Sequence, residues 1–178
     1  MIVTKQQWIE SGYQLFAIQG AKAFTVEGLA KKIGVSKSSF YHHFAEQICF
    51  IEELMKLHLL RSNQIADKEK KAQTIQPELI NILIEHKLDL LFNRQLRIHQ
   101  DDKLLKKTLQ DSNRIIGQEF ILLWMRDTNL PLTFNQANGL LSLALENFYL
   151  KINEENLNQE WLGQYFKELK LVAQNFLS

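Results

Sequence analysis

The sequence predicts an all-α protein made of a small N-terminal helical domain and a larger C-terminal helical bundle. Only 2 prolines and 7 glycines interrupt its 178 residues, and so few helix-breaking residues favour long helices over many-turned β structure. Beyond residue 46, apolar residues recur at helical spacing. Hydrophobic residues make up 46% and charged residues 23%, an ordinary composition for a soluble globular chain.

The most informative local pattern is two short helices and a tight turn within residues 26–44. Leu29 and Ile33 lie four residues apart on one helix face. Gly34 follows, at the place where a left-handed residue ends a helix at little steric cost. Ser36 is a suitable N-cap for the next helix, because its hydroxyl can accept a hydrogen bond from a free N–H group of the first turn.

The second helix of this motif has one apolar and one polar face. Phe40 and Phe44 lie four residues apart and are expected to pack inward together. The residues that this arrangement turns towards solvent are Lys37, Ser38, Tyr41 and His42. A short helix with a polar outer face, held against another helix by a glycine-containing turn, is typical of the helix-turn-helix that lays a recognition helix in the DNA major groove.

The residues before this motif extend the pattern, and residues 8–44 together resemble the N-terminal domain of the tetracycline-repressor (TetR) family. The first helix, from Trp8 to Gly20, contains LFA before its terminal glycine. Thr25 then precedes LA…GVS, and FYHHF ends the third helix. Several spaced elements agree in order, so the resemblance is more specific than a helix-turn-helix pattern alone, although it covers about a quarter of the chain.

The resemblance implies a set of DNA-binding residues, which are Thr25, Ser36, Lys37, Ser38, Ser39, Tyr41, His42 and Gln47. It implies that Tyr41 bonds a phosphate, that His42 lies against bases or backbone, and that Lys37 contacts a base or a phosphate. Thr25 can donate to a phosphate while it caps the second helix, or act as a cap only. His43, beside the apolar face, is expected to be packed or bonded to the backbone. The motif contains no arginine, so specificity must rest on weaker contacts and on DNA shape.

The sequence departs from the family pattern at three positions. Gly12 and Gly28 lie inside predicted helices, where each costs about 1 kcal/mol relative to alanine. We expect Gly12 to permit close helix packing and Gly28 to loosen the second helix. Gln47 stands where the family usually has a lysine, so a phosphate contact there depends on the Gln47 amide or on the helix N-terminus.

Charge alone does not indicate DNA binding. The net charge is +1. Residues 1–48 contain five lysines and three glutamates and so carry +2, and the remaining residues carry −1. This mild asymmetry predicts only modest non-specific affinity for DNA.

The remaining residues are predicted to form the C-terminal bundle. Helices are expected at about 46–62, 77–94, 101–109, 113–126, 134–152 and 157–177. The charged run 67–71 is interpreted as a solvated helix end or loop. The resulting domain organisation is a helix-turn-helix DNA-binding domain at 1–46 and a domain for effector binding and dimerisation at 47–178.

The last two predicted helices are apolar over more than one face and therefore need partners on two sides. Phe148 and Phe166 are among their apolar residues. By resemblance to the family, the second partner is the same helix pair of another subunit, which gives a homodimer. The alternative is that all of this surface is buried within one subunit.

A pocket for a small-molecule effector is expected within the C-terminal domain. Its candidate lining residues are His86, Phe92, Phe120, Trp124 and Phe148. The alternative is that these side chains are ordinary core, since aromatic residues at helical spacing usually are.

Several other classes of protein have little support in the sequence. The five histidines form no metal-ligand spacing, and there is no nucleophile elbow, P-loop or dinucleotide-binding fingerprint. We therefore expect no cofactor, no metal and no enzymatic activity. A single cysteine, Cys49, excludes an intrachain disulfide. With no apolar run long enough to span a bilayer and no secretory signal, a cytoplasmic protein is expected.

These observations predict a homodimeric transcriptional regulator, a repressor that binds a double-stranded palindromic operator and is released by a small, largely apolar ligand. One alternative is a ligand-independent DNA-binding protein with a filled core. Another is a helical enzyme or metal-binding protein in which the helix-turn-helix is incidental.

Overall fold

The computed structural model describes residues 3–20 and 24–176. These residues contain no β-strand and nine α-helices: α1 (Lys5–Gln19), α2 (Val26–Ile33), α3 (Lys37–Tyr41), α4 (Gln47–Glu69), α5 (Ile80–Glu85), α6 (Lys87–Ile98), α7 (Lys103–Thr128), α8 (Phe134–Lys151) and α9 (Gln159–Asn175). A π-helical turn, Ile75–Leu79, precedes α5. The predicted all-α fold is confirmed.

An aromatic core holds the N-terminal helices together. Phe40 of α3 contacts the Trp8 ring edge-on, with ring centroids 5.3 Å apart, and Phe50 of α4 at 5.4 Å. A Cβ atom added at Gly12 would lie 2.3 Å from the Phe50 ring. The expectation that Gly12 permits close helix packing is therefore confirmed, and the first turns of α4 pack into the helix-turn-helix domain.

The turn between α2 and α3 has the predicted backbone but not the predicted cap. Gly34 is left-handed, with φ 80° and ψ 32°, and ends α2. Ser36 occupies the N-cap position of α3, but its hydroxyl lies 2.8 Å from the Ser38 hydroxyl and caps no backbone N–H of this described helix. The predicted side-chain cap is wrong, because the neighbouring hydroxyl takes the place of the backbone donor.

Helix α1 also packs against the C-terminal bundle. The Tyr13 ring stacks on Phe92 of α6 at 4.2 Å, and Phe16 contacts the same ring at 4.4 Å. The hydrophobic core is therefore continuous between the two predicted parts of the chain. The predicted boundary after residue 46 coincides with the start of α4 and stays a prediction.

Three regions of the bundle differ from the sequence-based expectation. The predicted helix 77–94 is interrupted at His86, whose φ of −97° and ψ of 23° separate α5 from α6. The predicted helices 101–109 and 113–126 are one helix, α7, of 26 residues. Its polar midpoint is buried because the Ser112 hydroxyl bonds Ser62 at 2.9 Å. Helix α4 continues to Glu69, which is buried although it belongs to the run expected to be solvated.

The two predicted C-terminal helices are present as α8 and α9. Thr133 and Gln136 form a capping box at the start of α8. The Tyr165 hydroxyl of α9 donates to the carbonyl of Ala144 at 2.7 Å and ties the two helices together. Within the described part of the chain, no helix combines the length and apolar character needed to cross a membrane.

Candidate DNA-binding surface and internal cavity

The polar face of α3 is exposed, as its sequence predicts. Lys37, Ser38, Tyr41 and His42 are exposed, whereas Phe40 and Phe44 are buried. The Tyr41 ring is 50% accessible and rests edge-on against Phe40. Ser39 is half-buried, and the exposed Ser36 precedes the helix. His43 places Nε2 2.9 Å from the carbonyl of Val3, which confirms its expected backbone contact.

Thr25 caps α2 and keeps a hydroxyl proton free. Its Oγ1 accepts from the backbone N–H of Gly28 at 3.0 Å, so the same hydroxyl can still donate to a phosphate. A Cβ atom at Gly28 would lie 2.9 Å from that oxygen. The glycine therefore leaves room for the cap, and its expected loosening of the helix stays a prediction. The capping role of Thr25 is confirmed, and its phosphate contact stays a prediction.

Lys37 is paired with an acidic residue of α2. Its ammonium donates to the Glu27 carboxylate, and both side chains are exposed. This hydrogen bond raises the pKa of Lys37 above its ordinary value. Lys37 therefore keeps its charge, and because its ammonium has three N–H donors, it can contact a phosphate or a base while it stays paired with Glu27.

The first residue of α4 lies beside this surface in the sequence and is exposed. Gln47 begins α4, and Glu46 before it forms no side-chain cap with the described helix. The free N–H groups and the positive end of the helix dipole suit an anion. Gln47 is thus exposed at a helix N-terminus, and its phosphate contact stays a prediction.

A cavity of about 660 Å³ lies within the C-terminal bundle, between α4 and the helices α5 to α9. Its wall is mostly apolar and aromatic, and it includes Phe120 and Phe148, two of the five residues predicted to line a pocket. Glu69 and Asn93 add buried polar groups to the wall. The volume is within the range of small-molecule sites.

The other three predicted pocket residues lie outside the wall of this cavity. Trp124 is fully buried in the core. Phe92 stacks on Tyr13 and also contacts the rings of Phe16 and His58, at 4.4 and 4.6 Å. His86 directs Nδ1 to the Asp89 carboxylate at 2.8 Å. Periodicity identified these residues as inward-facing but could not separate core from cavity wall.

A buried polar network joins α1, α4 and α6, and sequence reasoning missed it. Tyr13 donates its hydroxyl to Asp89 Oδ1 at 2.7 Å and lies 2.8 Å from His58 Nδ1. Arg61 donates to the same Asp89 oxygen at 3.2 Å and to Glu10 at 2.6 Å. The available sequence signal was Asp89 itself, an acidic residue within the apolar run 88–92.

The network leaves His58 neutral. Because the Tyr13 hydroxyl donates to Asp89, it accepts from His58, so the proton of neutral His58 is on Nδ1. The other nitrogen, Nε2, is buried and has no hydrogen-bond partner among the described residues. A second proton would therefore have no acceptor, and burial lowers the pKa of His58 to about 4.

Over residues 3–20 and 24–176, no group of three or more histidine, cysteine or acidic side chains could hold a metal ion.

The fold and the exposed face of α3 define a helix-turn-helix DNA-binding protein. The profile described as "Bacterial regulatory proteins, tetR family" matches residues 9–46. The chain is 24% identical over 156 residues to the biofilm operon icaADBC HTH-type negative transcriptional regulator IcaR of Staphylococcus aureus (strain Newman), and the match covers 83% of each protein. The IcaR protein of strain COL is equally similar.

A solved structure has the same fold over almost the whole chain. It is the crystal structure of a transcriptional regulator (TetR/AcrR family) from Aquifex aeolicus VF5, with a TM-score of 0.62 and 17% sequence identity. The match covers 98% of this chain and 99% of that one. The profile match over residues 9–46, the similarity to IcaR and this shared fold together support a TetR-family regulator.

Proposed function

We propose that the protein is a homodimeric repressor whose two α3 helices bind a palindromic operator and which a small, largely apolar ligand releases. The ligand occupies the 660 Å³ cavity of the C-terminal bundle. Repression is the direction favoured by similarity to IcaR, a negative transcriptional regulator.

The observation that carries this proposal is the span of α4. This helix begins at Gln47, beside the DNA-binding motif, and ends at Glu69, a residue of the cavity wall. Its 23 residues reach about 34 Å at 1.5 Å per residue. Phe50 anchors one end in the aromatic core of the N-terminal domain. A ligand that displaces the cavity end of α4 therefore displaces the helix-turn-helix domain.

Such a displacement can control DNA binding because both half-sites must be engaged together. Two recognition helices of a dimer fit half-sites about 34 Å apart, one helical turn of DNA, or a multiple of it. A ligand that binds better to the conformation with the wrong separation shifts the population towards it and weakens operator binding.

The proposed dimer forms through α8 and α9, because these helices expose apolar side chains that the subunit does not cover. Leu143 is 75% exposed, Leu150 80%, Val172 46% and Phe176 78%. Leu143, Val172 and Phe176 line one groove between the two helices. Phe148 and Phe166, which the sequence analysis included in this apolar surface, are instead buried within the subunit. Their burial reduces the excess apolar surface, but the four exposed side chains remain.

The rival function is ligand-independent DNA binding, which requires no ligand in the cavity of the C-terminal bundle. Gly117 of α7 offers a direct test, because it lines the cavity and a Cβ atom there would meet nothing within 4 Å. Gly117→Leu should fill part of the cavity. Gly139→Leu is the matched control, since Gly139 of α8 is equally free of neighbours, is exposed and lies outside the cavity wall.

The experiment first selects an operator from DNA flanking the protein's own coding region and measures its affinity by fluorescence anisotropy. Small apolar compounds that raise the melting temperature are then added to the complex. The proposal predicts that such compounds release wild-type protein and Gly139→Leu but not Gly117→Leu, although all three bind the operator. Operator binding that no stabilising compound alters would support the ligand-independent rival instead.

A further inference from the structure

The cavity wall contains two buried hydrogen-bond acceptors that the protein leaves unpaired. Glu69 Oε2 and Asn93 Oδ1 each lack a hydrogen-bond partner among the described residues, and the two side chains are 1% and 2% exposed. Both residues line the cavity, Glu69 from α4 and Asn93 from α6. A buried polar group without a partner is costly, and such groups are rare in folded proteins.

The orientation of the Asn93 amide follows from its hydrogen-bond chain. Ser62 donates its one hydroxyl proton to the carbonyl of His58 at 2.8 Å, so it must accept from Ser112. Ser112 has then used its proton and must accept from Asn93 Nδ2, 3.1 Å away. The amide therefore cannot be reversed, and its unpaired atom is the carbonyl oxygen, a pure acceptor.

Glu69 is the acidic residue of the pair. Burial, and to a smaller degree the charge of Glu119, raises the pKa of its carboxyl well above the ordinary value. No cation that the structure describes lies within hydrogen-bond distance of it. A positive group placed in the cavity would favour the carboxylate and form a charge-assisted hydrogen bond with it.

The other charged groups of the wall already have partners. Glu146 is exposed and paired with Arg97. Arg114 is exposed, and its guanidinium donates to Asp111 at 3.1 Å. The rest of the wall is mostly apolar and includes six aromatic residues, whose ring faces attract cations. Its aromatic residues are Phe120, Phe134, Phe148, Tyr149, Tyr165 and Phe166.

We infer that the effector of this cavity is an organic cation, an apolar chain or ring that bears an ammonium or related N–H donor, and that Glu69 is its counter-ion. This inference rests on the proposed function of the cavity as the effector site. Asn93 supplies a second acceptor, and the aromatic wall holds the apolar part.

The test uses three probes with the same ten-carbon chain and different head groups: decylammonium, 1-decanol and decanoate. Their binding to the full-length protein is measured by isothermal titration calorimetry near neutral pH, and release of operator DNA is followed in parallel. Decylammonium should bind at least about tenfold more tightly than 1-decanol, because an ionic hydrogen bond replaces a neutral one. Decanoate should bind most weakly, because its carboxylate would be buried beside Glu69 with no cation to pair with it.

Two variants test whether Glu69 causes the preference for the ammonium head group. Glu69→Gln should lower the affinity for decylammonium about tenfold and leave that for 1-decanol unchanged. Glu146→Gln is the matched control, since it removes a carboxylate of the same wall that Arg97 already neutralises. It should change the decylammonium affinity much less. The head-group series needs only the unaltered protein, so the test does not depend on the variants folding.

The outcomes separate the two proposals. If 1-decanol or decanoate binds at least as tightly as decylammonium and releases the operator, the cavity is an effector site but the cation inference is wrong. The cation inference is also wrong if Glu69→Gln binds decylammonium as tightly as wild type does. If none of the probes binds, the inference is overturned. If apolar compounds of other kinds also fail to stabilise the protein, the proposal that the cavity is an effector site is wrong as well.

Discussion

Replacing Leu143 by aspartate should convert the protein from a dimer to a monomer. Leu143 of α8 is 75% exposed in the single subunit and lines the apolar groove that Val172 and Phe176 of α9 also line. If that groove receives the same face of a second subunit, the leucine becomes buried on association. A buried aspartate would then replace an apolar contact with an unpaired charge.

The magnitude follows from the exposed surface and from symmetry. Burying a whole leucine side chain contributes about 1.5–3 kcal/mol, so three-quarters of one contributes about 1–2 kcal/mol. A two-fold interface contains each residue twice, so the loss is about 2–4 kcal/mol per dimer. At 1.4 kcal/mol per tenfold change, the dimer dissociation constant should rise roughly 30- to 1,000-fold, before any cost of desolvating the carboxylate.

Sedimentation velocity over a concentration series measures this change. The matched control is Leu60→Asp, because Leu60 is 58% exposed but lies on α4, away from the α8–α9 groove. Leu60→Asp should sediment as wild type does, and both variants should keep the wild-type circular dichroism spectrum. A wild-type protein that is monomeric at every concentration, or a Leu143→Asp variant as dimeric as wild type, would refute the reasoning.

Three further predictions concern the DNA face, the core and the buried network. Tyr41→Phe should weaken binding of all DNA sequences alike, by the ~1 kcal/mol of a lost hydrogen bond; unchanged operator affinity in fluorescence anisotropy would contradict the phosphate contact. Trp124→Ala should lower the free energy of unfolding by about 3–5 kcal/mol with no ligand-specific effect; a loss confined to ligand binding, in urea titrations with and without ligand, would contradict its core position. Burial lowers the pKa of His58 to about 4, whereas an unfolded histidine titrates at about 6.5. The unfolded state therefore takes up the extra proton at a higher pH than the folded state does. The contribution of neutral His58 to the free energy of unfolding is full above pH 6.5, and it should be lost between pH 6.5 and 4, by up to about 3 kcal/mol. His58→Gln should remove that part of the pH dependence of urea unfolding, and an unaltered dependence would contradict the assignment.

The helix-turn-helix could be predicted from sequence because its determinants are local. Gly34 ends α2 in the left-handed conformation that its position suggested. Phe40 and Phe44 are buried as their spacing requires, which fixes the polar face of α3 towards solvent. The ends of α8 and α9 also agreed with expectation, since capping residues and a proline-containing break lie beside them.

The interior of the C-terminal bundle could not be predicted in the same way, because its determinants are distant in sequence. Helix α7 continues through Ser112, whose hydroxyl is satisfied by Ser62 and Asn93 on two other helices. Helix α4 continues to Glu69 because α4 packs along α7 and borders a cavity there.

The pocket prediction was incomplete for a related reason. Phe120 and Phe148 line the cavity, whereas Trp124, on the same helix as Phe120, is core. Helical spacing reports that a side chain faces inward, but the neighbouring helices decide whether it meets another side chain or an open space. Glu69 was missed because a charged run normally indicates solvent exposure.

The most direct test of the central claim is a hydroxyl-radical footprint of the protein on its selected operator. A dimer that presents two α3 helices should protect two symmetric half-sites, their centres one helical turn of DNA, about 34 Å, or a multiple of it apart. A stabilising cavity ligand should abolish both together. Protection of a single half-site, loss of only one on ligand addition, or no protection above that seen on unrelated DNA would contradict the account of a dimeric, ligand-released regulator.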